Sequence, residues 1–201
     1  MDTTKTFGDP QTFAIRYRPS EDGEVDKNDK FAFCHLIIDN KLIGNDDECC
    51  YLPTWVYYLT DEKNRIEQDT ANLFADEFTS LTNREIFETC LKSTQLEEEE
   101  VDSEFRHLPK LHWQTSRRHQ LILDETVDGY YLFLYVKDGK ITFLIEDLLG
   151  LGYQTRRSYK FIFKTVSLND AFNTINKAIT SLTQTYPYLT ESISTRTYNS
   201  R

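Results

Sequence analysis

The chain has 201 residues, of which 39% are hydrophobic and 28% are charged, and its formal net charge is −10. This length and composition predict one globular domain over residues 1–201, with a loosely held tail at residues 189–201. No segment reaches the run of about 18 apolar residues that a membrane span needs, and the N-terminus lacks a signal-peptide pattern. We therefore expect a cytoplasmic protein with no membrane partner.

The negative charge is concentrated in the first half of the chain. Up to Glu104 there are 25 Asp and Glu against 10 Lys and Arg, a net charge of −15, whereas from Phe105 onward there are 8 against 13, a net charge of +5. Such a field repels nucleic acid and anionic lipid, and it accelerates the docking of a basic protein. The alternative is that the acidic surface only keeps the protein soluble.

The first 44 residues predict antiparallel hairpins. The sequence FGDP at residues 7–10 is typical of a turn, and the apolar residues 13–18 that follow indicate a strand. Residues 30–39 are apolar on both faces apart from His35, which favours a strand in the interior of a sheet. A turn at Asn40 and Lys41 then leads into a short returning strand.

Three helices are predicted in succession after this sheet. Residues 53–65 begin with Pro53 and carry apolar side chains at helical spacing, and residues 71–81 show a second amphipathic pattern. Thr82 and Glu85 have the spacing of a capping box ahead of the third helix. The acidic residues 94–104 are then expected to form an exposed helix end or a mobile loop.

The second half predicts a hairpin, a strand and a long helix. A short strand at residues 119–124 precedes two apolar runs that Asp138 and Gly139 join in a type I′ turn. The next run alternates, with Phe161 and Phe163 on one face and Lys164 on the other, as in a half-buried strand.

The last predicted helix starts at Ser167, whose hydroxyl can cap the backbone amides of the first turn. It has an apolar stripe that extends to Leu182. The whole pattern predicts an α+β fold: a mainly antiparallel sheet of about five to seven strands built from hairpins, with three central helices and one C-terminal helix packed on it.

No catalytic or metal-binding motif is found. Cys34 and His35 are neighbours on a strand, so their side chains point to opposite faces and cannot act together directly. His107, His112 and His119 lie at intervals that do not align metal ligands on one helix face. The four cysteines form no C-x-x-C pair, which favours reduced thiols. We expect no cofactor, no metal and no enzymatic activity.

Two weaker patterns have plainer explanations. Gly150 and Gly152 resemble part of a phosphate-binding loop, but the third glycine and the following helix are missing, which favours an ordinary loop. Trp113 beside Arg117 and Arg118 is a combination that can stack on bases, but the acidic charge of the chain argues against nucleic acid.

Three stretches, in this order, resemble one family. FGDPQTFAIRY, FAFCHLIIDNKLIG and DGYYLFLYVKDGKITFLIED are similar to the pattern of immunity protein family forty-two, from bacterial polymorphic toxin systems. The resemblance covers the first 44 residues and residues 121–182, and the family has no catalytic residues to transfer. It implies an antidote that binds and neutralises a cognate toxin domain by non-covalent occlusion, and nuclease domains are one class of such toxins.

Combined with the charge distribution, this resemblance makes a basic toxin domain the expected partner. The expected contacts are acidic residues in two clusters: Asp46, Asp47, Glu48, Glu97, Glu98, Glu99, Glu100, Asp102 and Glu104. Two alternatives remain: an intracellular adaptor or regulatory module with an unrelated protein partner, and an enzyme of unrecognised type.

Overall fold

The computed structural model describes residues 4–20, 30–94, 106–123, 127, 129–147 and 161–190. Within these ranges the chain forms two antiparallel sheets and four α-helices. The predicted α+β class, the hairpins and the C-terminal helix are therefore confirmed, with the strands divided between two sheets. No helix in these ranges is both long enough and apolar enough to cross a membrane.

The first sheet has five strands and contains the N-terminal hairpins. Its strands are β1 (Lys5–Asp9), β2 (Phe13–Pro19), β3 (Phe31–Ile38), β4 (Lys41–Ile43) and β5 (Cys50–Tyr51). The order is β1-β2-β3-β4, and β5 pairs with the other end of β3. As predicted, β3 lies in the interior. The turn into β4 is made by Asp39 and Asn40, with positive φ angles of 52° and 61°, one residue before the predicted pair Asn40 and Lys41.

The second sheet has three strands in sequential order. They are β6 (Tyr130–Lys137), β7 (Lys140–Asp147) and β8 (Ile162–Ser167). Asp138 and Gly139 connect β6 to β7 with φ angles of 51° and 68°, which is the geometry that the predicted type I′ turn requires.

Two of the four helices pack on the five-stranded sheet side of the main core and two pack on the three-stranded sheet. They are α1 (Leu52–Asp69), α2 (Asn83–Thr94), α3 (Trp113–His119) and α4 (Leu168–Thr185). The capping box is confirmed, since the Thr82 backbone N–H donates to Glu85 Oε2 at 2.7 Å and the Glu85 N–H donates to Thr82 Oγ1 at 3.3 Å. The Ser167 cap is confirmed by its hydroxyl oxygen, which accepts a hydrogen bond from the Asp170 N–H at 3.4 Å.

The main core lies between the inner faces of the two sheets and helices α1 and α4. It includes Ile15 and Leu36 from the first sheet and Ile145 from the second. The Phe13 ring stacks on the Phe143 ring across the sheets, with ring centroids 5.0 Å apart. Burial of this apolar surface is the main force that holds the two sheets together.

A second core covers the other face of the three-stranded sheet. Phe87 of α2 packs edge-on against Phe133 of β6, with ring centroids 5.5 Å apart, and Leu144 of β7 is fully buried beside them. The two cores therefore cover both faces of β6 and β7, whereas β8 is exposed on its outer face at Phe163.

The predicted helix at residues 71–81 is wrong. The segment instead forms two 3₁₀ turns, Thr70–Asn72 and Asp76–Phe78. The Leu73 carbonyl accepts a hydrogen bond from the Val136 N–H of β6 at 2.8 Å, so this oxygen serves the sheet instead of a helical ladder. The third central helix is α3, which the sequence pattern did not indicate.

Two strand predictions also need correction. Residues 119–124 were expected to form a strand, but only Gln120 makes a single bridge, to Phe133, and residues 124–126 lie outside the described ranges. Strand β1 was missed because it begins before the predicted FGDP turn and includes most of it.

Strand β8 buries the face opposite to the one that its aromatic residues suggest. Ile162 and Val166 point into the main core on the same side as Lys164, whereas Phe163 is 50% exposed. Lys164 Nζ reaches Asp39 in the other sheet at 2.9 Å, and this hydrogen bond is the main cause of the lowered pKa of Asp39.

At the C-terminal end, helix α4 stops before Pro187, as predicted. Leu189 is fully buried, so the packed part of the chain extends into the segment expected to be loosely held. Residues 191–201, like Gly150 and Gly152, lie outside the described ranges.

Candidate binding surface

The outer face of the five-stranded sheet is the candidate site, and we call it the open face. It consists of the side chains that alternate with the core-facing ones on β2 to β5: Arg16, Arg18, Phe31, Phe33, His35, Ile37, Leu42 and Tyr51. The apolar members of this set belong to neither of the two core clusters. Among the described residues, no helix packs its apolar stripe against this face.

Aromatic side chains dominate one end of the open face. Phe31 and Tyr51 are directly opposite each other on β3 and β5, with ring centroids 5.6 Å apart in an edge-to-face arrangement. Phe31 is 52% exposed and Tyr51 is 38% exposed. Exposed aromatic side chains that lie next to each other are characteristic of protein-binding surfaces.

An arginine–aromatic pair extends this end. Arg18 and Phe33 are opposite each other on β2 and β3, and the guanidinium carbon lies 3.8 Å from the centre of the Phe33 ring. A cation held over a ring in this way is attracted by the π electrons, and the contact limits the freedom of both side chains. The pair therefore forms a flat, ordered surface beside Phe31.

An acidic loop, residues 45–49, borders the open face between β4 and β5. Asp46 Oδ1 lies 3.2 Å from Arg16 Nη1 and 3.8 Å from His35 Nε2. The Asn45 carbonyl oxygen is 3.0 Å from His35 Nε2, so this nitrogen carries the proton and donates it. The ion pair of Arg16 with Asp46 and the hydrogen bond of His35 to Asn45 hold the acidic loop against the sheet.

His35 is almost completely buried beneath this loop. Burial lowers the pKa of His35, and the nearby arginines Arg16 and Arg18 act in the same direction, against the opposing effects of the Asn45 carbonyl and Asp46. The imidazole is therefore neutral at physiological pH. Its buried Nδ1 atom has no hydrogen-bond partner among the described residues. The hydrogen bond from Nε2 to the Asn45 carbonyl makes His35 a structural support for the loop.

The predicted contact residues Asp46, Asp47 and Glu48 lie together on the acidic loop and are all exposed. Asp46 is already engaged by Arg16, whereas no described basic side chain lies within ion-pair distance of Asp47 or Glu48. The second predicted cluster, residues 97–104, lies outside the described ranges. Sequence reasoning thus located one charged border of the open face.

The aromatic centre of the open face was missed. Residues 30–39 have apolar side chains on both faces, which predicted a strand in the interior of a sheet but did not distinguish the covered face from the open one. One sequence signal could have located this centre. Arg16 and Arg18 alternate with apolar residues on β2, and charged residues of this kind indicate that the same face of the adjacent strand β3 is not buried in a core.

The other chemical candidates are dispersed. His107 and His112 are exposed and His119 is buried, and no group of three or more His, Cys, Asp or Glu suited to a metal ion occurs in the described part of the chain. All four cysteines are thiols, and Cys34 is buried, as predicted for a strand residue.

Another exposed surface surrounds Trp113 at the start of α3. The Trp113 side chain is 58% exposed. Its exposed neighbours in sequence include the basic residues Lys110, Arg117 and Arg118 and no acidic residue. This surface therefore differs in charge from the acidic border of the open face.

Comparison with known proteins gives one family and one fold neighbour. The profile of the family described as immunity protein 42 matches residues 1–185. The crystal structure of CdiI from Burkholderia dolosa is similar in fold, with a TM-score of 0.55 and 13% sequence identity over 88% of this chain and 99% of that chain. No curated protein matches. The profile match, which includes both sheets and all four helices, shows that this chain belongs to the immunity protein 42 family.

Proposed function

We propose that this protein neutralises a cognate toxin domain by direct, non-covalent binding that blocks the working surface of the toxin. Membership of the immunity protein 42 family is the observation that carries the proposal. The activity requires a complementary surface and no bond-making group, so the protein acts as an inhibitor and not as an enzyme. It works in the cytoplasm, without a cofactor, a nucleic acid or a membrane as partner.

The proposed partner is a basic toxin domain, and a nuclease with a positively charged cleft is one such class. The net charge of −15 up to Glu104 supports this choice, because a strong negative field attracts a basic partner over a distance. Asp47 and Glu48 on the acidic loop are proposed as contacts, together with the acidic residues 97–104. Charges of this kind raise the association rate more than they lengthen the life of the complex.

The decisive test is co-expression with the product of the gene directly upstream, which the proposal identifies as the toxin. Cells that make the toxin should stop growing, and co-expression of this protein should restore growth. Cells that die whether or not this protein is made would contradict the proposal.

The electrostatic part has its own test, which uses the purified toxin domain and a matched pair of variants. Asp47→Asn with Glu48→Gln should lower the association rate by about three- to tenfold and reduce its dependence on salt. Asp76→Asn with Glu77→Gln removes the same two charges from an exposed 3₁₀ turn elsewhere and serves as the control. Equal rates for both variants would remove the acidic loop from the proposal.

A further inference from the structure

We propose that Phe31 and Tyr51 on the open face are the anchor of the complex, and that the toxin domain meets them with an apolar patch bordered by basic side chains. This inference rests on the proposed function and assigns its contact surface. It separates two roles, since the aromatic pair holds the partner while the acidic loop guides its approach.

The arrangement of the aromatic side chains carries the first step. Binding energy in protein interfaces is concentrated in a few central residues, and Trp, Tyr and Arg are enriched among them. Phe31 and Tyr51 touch edge to face, and Arg18 stacked on Phe33 lies directly beside them on the same face. The sheet fixes all four side chains before binding, so little conformational entropy is lost when a partner covers them.

The position of the acidic loop carries the second step. Glu48 precedes Tyr51 by three residues, so the chain between them spans no more than about 11 Å. The exposed carboxylates of Asp47 and Glu48 therefore border the aromatic centre. An apolar centre with a charged border selects a partner with an apolar centre and a border of opposite charge.

The other exposed aromatic residues fit this partner less well. Trp113 has Lys110, Arg117 and Arg118 near it in sequence, and these cations would repel a basic domain. Phe163 has Phe161 beside it at 6.1 Å between ring centroids, and the guanidinium carbon of Arg84 lies 5.0 Å from the centre of the Phe161 ring, so a cation borders this pair. The open face alone combines clustered exposed aromatic residues with an acidic border among the described surfaces.

The test measures binding kinetics of the purified toxin domain encoded directly upstream. Phe31→Ala with Tyr51→Ala should weaken binding by about 100-fold or more, mainly through faster dissociation. Phe163→Ala removes an equally exposed phenylalanine, 50% against 52%, from the other sheet and should change binding by less than about threefold. Trp113→Ala is a second control with the same expectation.

A separate variant guards against loss of folding. Phe31→Arg adds a solvated positive charge at the proposed centre and should weaken binding as strongly, with an unfolding midpoint close to that of the wild type. Wild-type dissociation rates in both the double alanine variant and Phe31→Arg would overturn the anchor and leave the proposed function intact. A wild-type protein that does not bind the toxin domain at all would overturn both.

Discussion

The two sheets of this molecule differ in how many of their faces are covered. The three-stranded sheet has the main core on one side and α2, α3 and the 3₁₀ turns on the other, so that Phe133 is only 1% exposed. The five-stranded sheet contributes one face to the core, and its other face carries Phe31 at 52% exposure. Similar apolar strands therefore serve stability in one sheet and remain accessible in the other.

This difference shows where the protein has retained accessible apolar surface. Full burial of a phenylalanine side chain stabilises a fold by about 1.5–3 kcal/mol relative to full exposure. Phe31 and Tyr51 on the open face are only partly buried, so part of this stabilisation is not realised. An exposed apolar patch of this kind is typical of a surface that a partner covers. The comparison thus separates residues that hold the fold from residues that are available for binding.

The largest expected effect is the difference in stability cost between truncating a phenylalanine of the covered sheet and truncating one on the open face. Phe133→Ala should lower the free energy of unfolding by about 3–5 kcal/mol, because it opens a cavity between the sheet and α2. Phe31→Ala should cost less than about 1 kcal/mol, since the side chain is already half in water. Urea denaturation of both variants measures the difference, and equal costs would show that the open face is part of the core.

The next largest effect concerns the two buried histidines, His35 on β3 of the first sheet and His119 at the end of α3, against the second sheet. His119 lies against Phe78 at 4.8 Å between ring centroids, and its Nδ1 donates to the Leu134 carbonyl oxygen at 3.1 Å. The pKa of His119 is lowered from 6.5 to about 4, mainly by burial and to a smaller extent by the positive charges of Arg65 and Arg118, against the opposing effects of the Leu134 carbonyl and Asp69. Burial likewise lowers the pKa of His35.

The sign of the resulting pH dependence follows from these pKa values. Between pH 6.5 and about 4 the unfolded chain binds a proton at His119 and the folded chain does not. The stability contributed by the neutral His119 is therefore fully present above pH 6.5. The free energy of unfolding decreases as the pH is lowered through this window, by up to about 1.4 kcal/mol per pH unit. His119→Asn should flatten the curve, and adding His35→Asn should flatten it further.

Urea denaturation at a series of pH values tests this prediction. The exposed His107→Asn variant is the control and should follow the wild-type curve. A His119→Asn variant with the wild-type slope would show that this histidine binds its proton equally in the folded and unfolded states.

Local chemistry made part of the fold predictable. The Asp138–Gly139 turn, the capping box of Thr82 with Glu85 and the Ser167 cap each depend on residues a few positions apart, and all three were located from sequence. The segment at residues 71–81 was misread because a hydrogen bond from Val136, distant in sequence, competes with helix formation.

The candidate site was only partly predictable for the same reason. The acidic loop is visible as a run of charges, but the exposure of Phe31 and Phe163 depends on which sheet faces the helices cover. Alternation along β8 places Phe163 and Lys164 on opposite faces of the sheet. It does not show that the face with Ile162 and Val166 is the buried one. Such assignments come from long-range packing, which periodicity along one strand does not contain.

One thiol offers the most direct test of the central claim that the toxin domain covers the open face and its acidic border. Cys34, Cys50 and Cys90 are buried, and burial raises the pKa of the Cys90 thiol, whereas Cys49 is exposed on the acidic loop. A maleimide should therefore label Cys49 first, and the Cys49→Ser variant identifies that reaction. We predict that saturating toxin domain slows the labelling of Cys49 by about tenfold or more, because a partner that covers the acidic loop blocks the approach of the maleimide. An unchanged labelling rate in the complex would contradict the account.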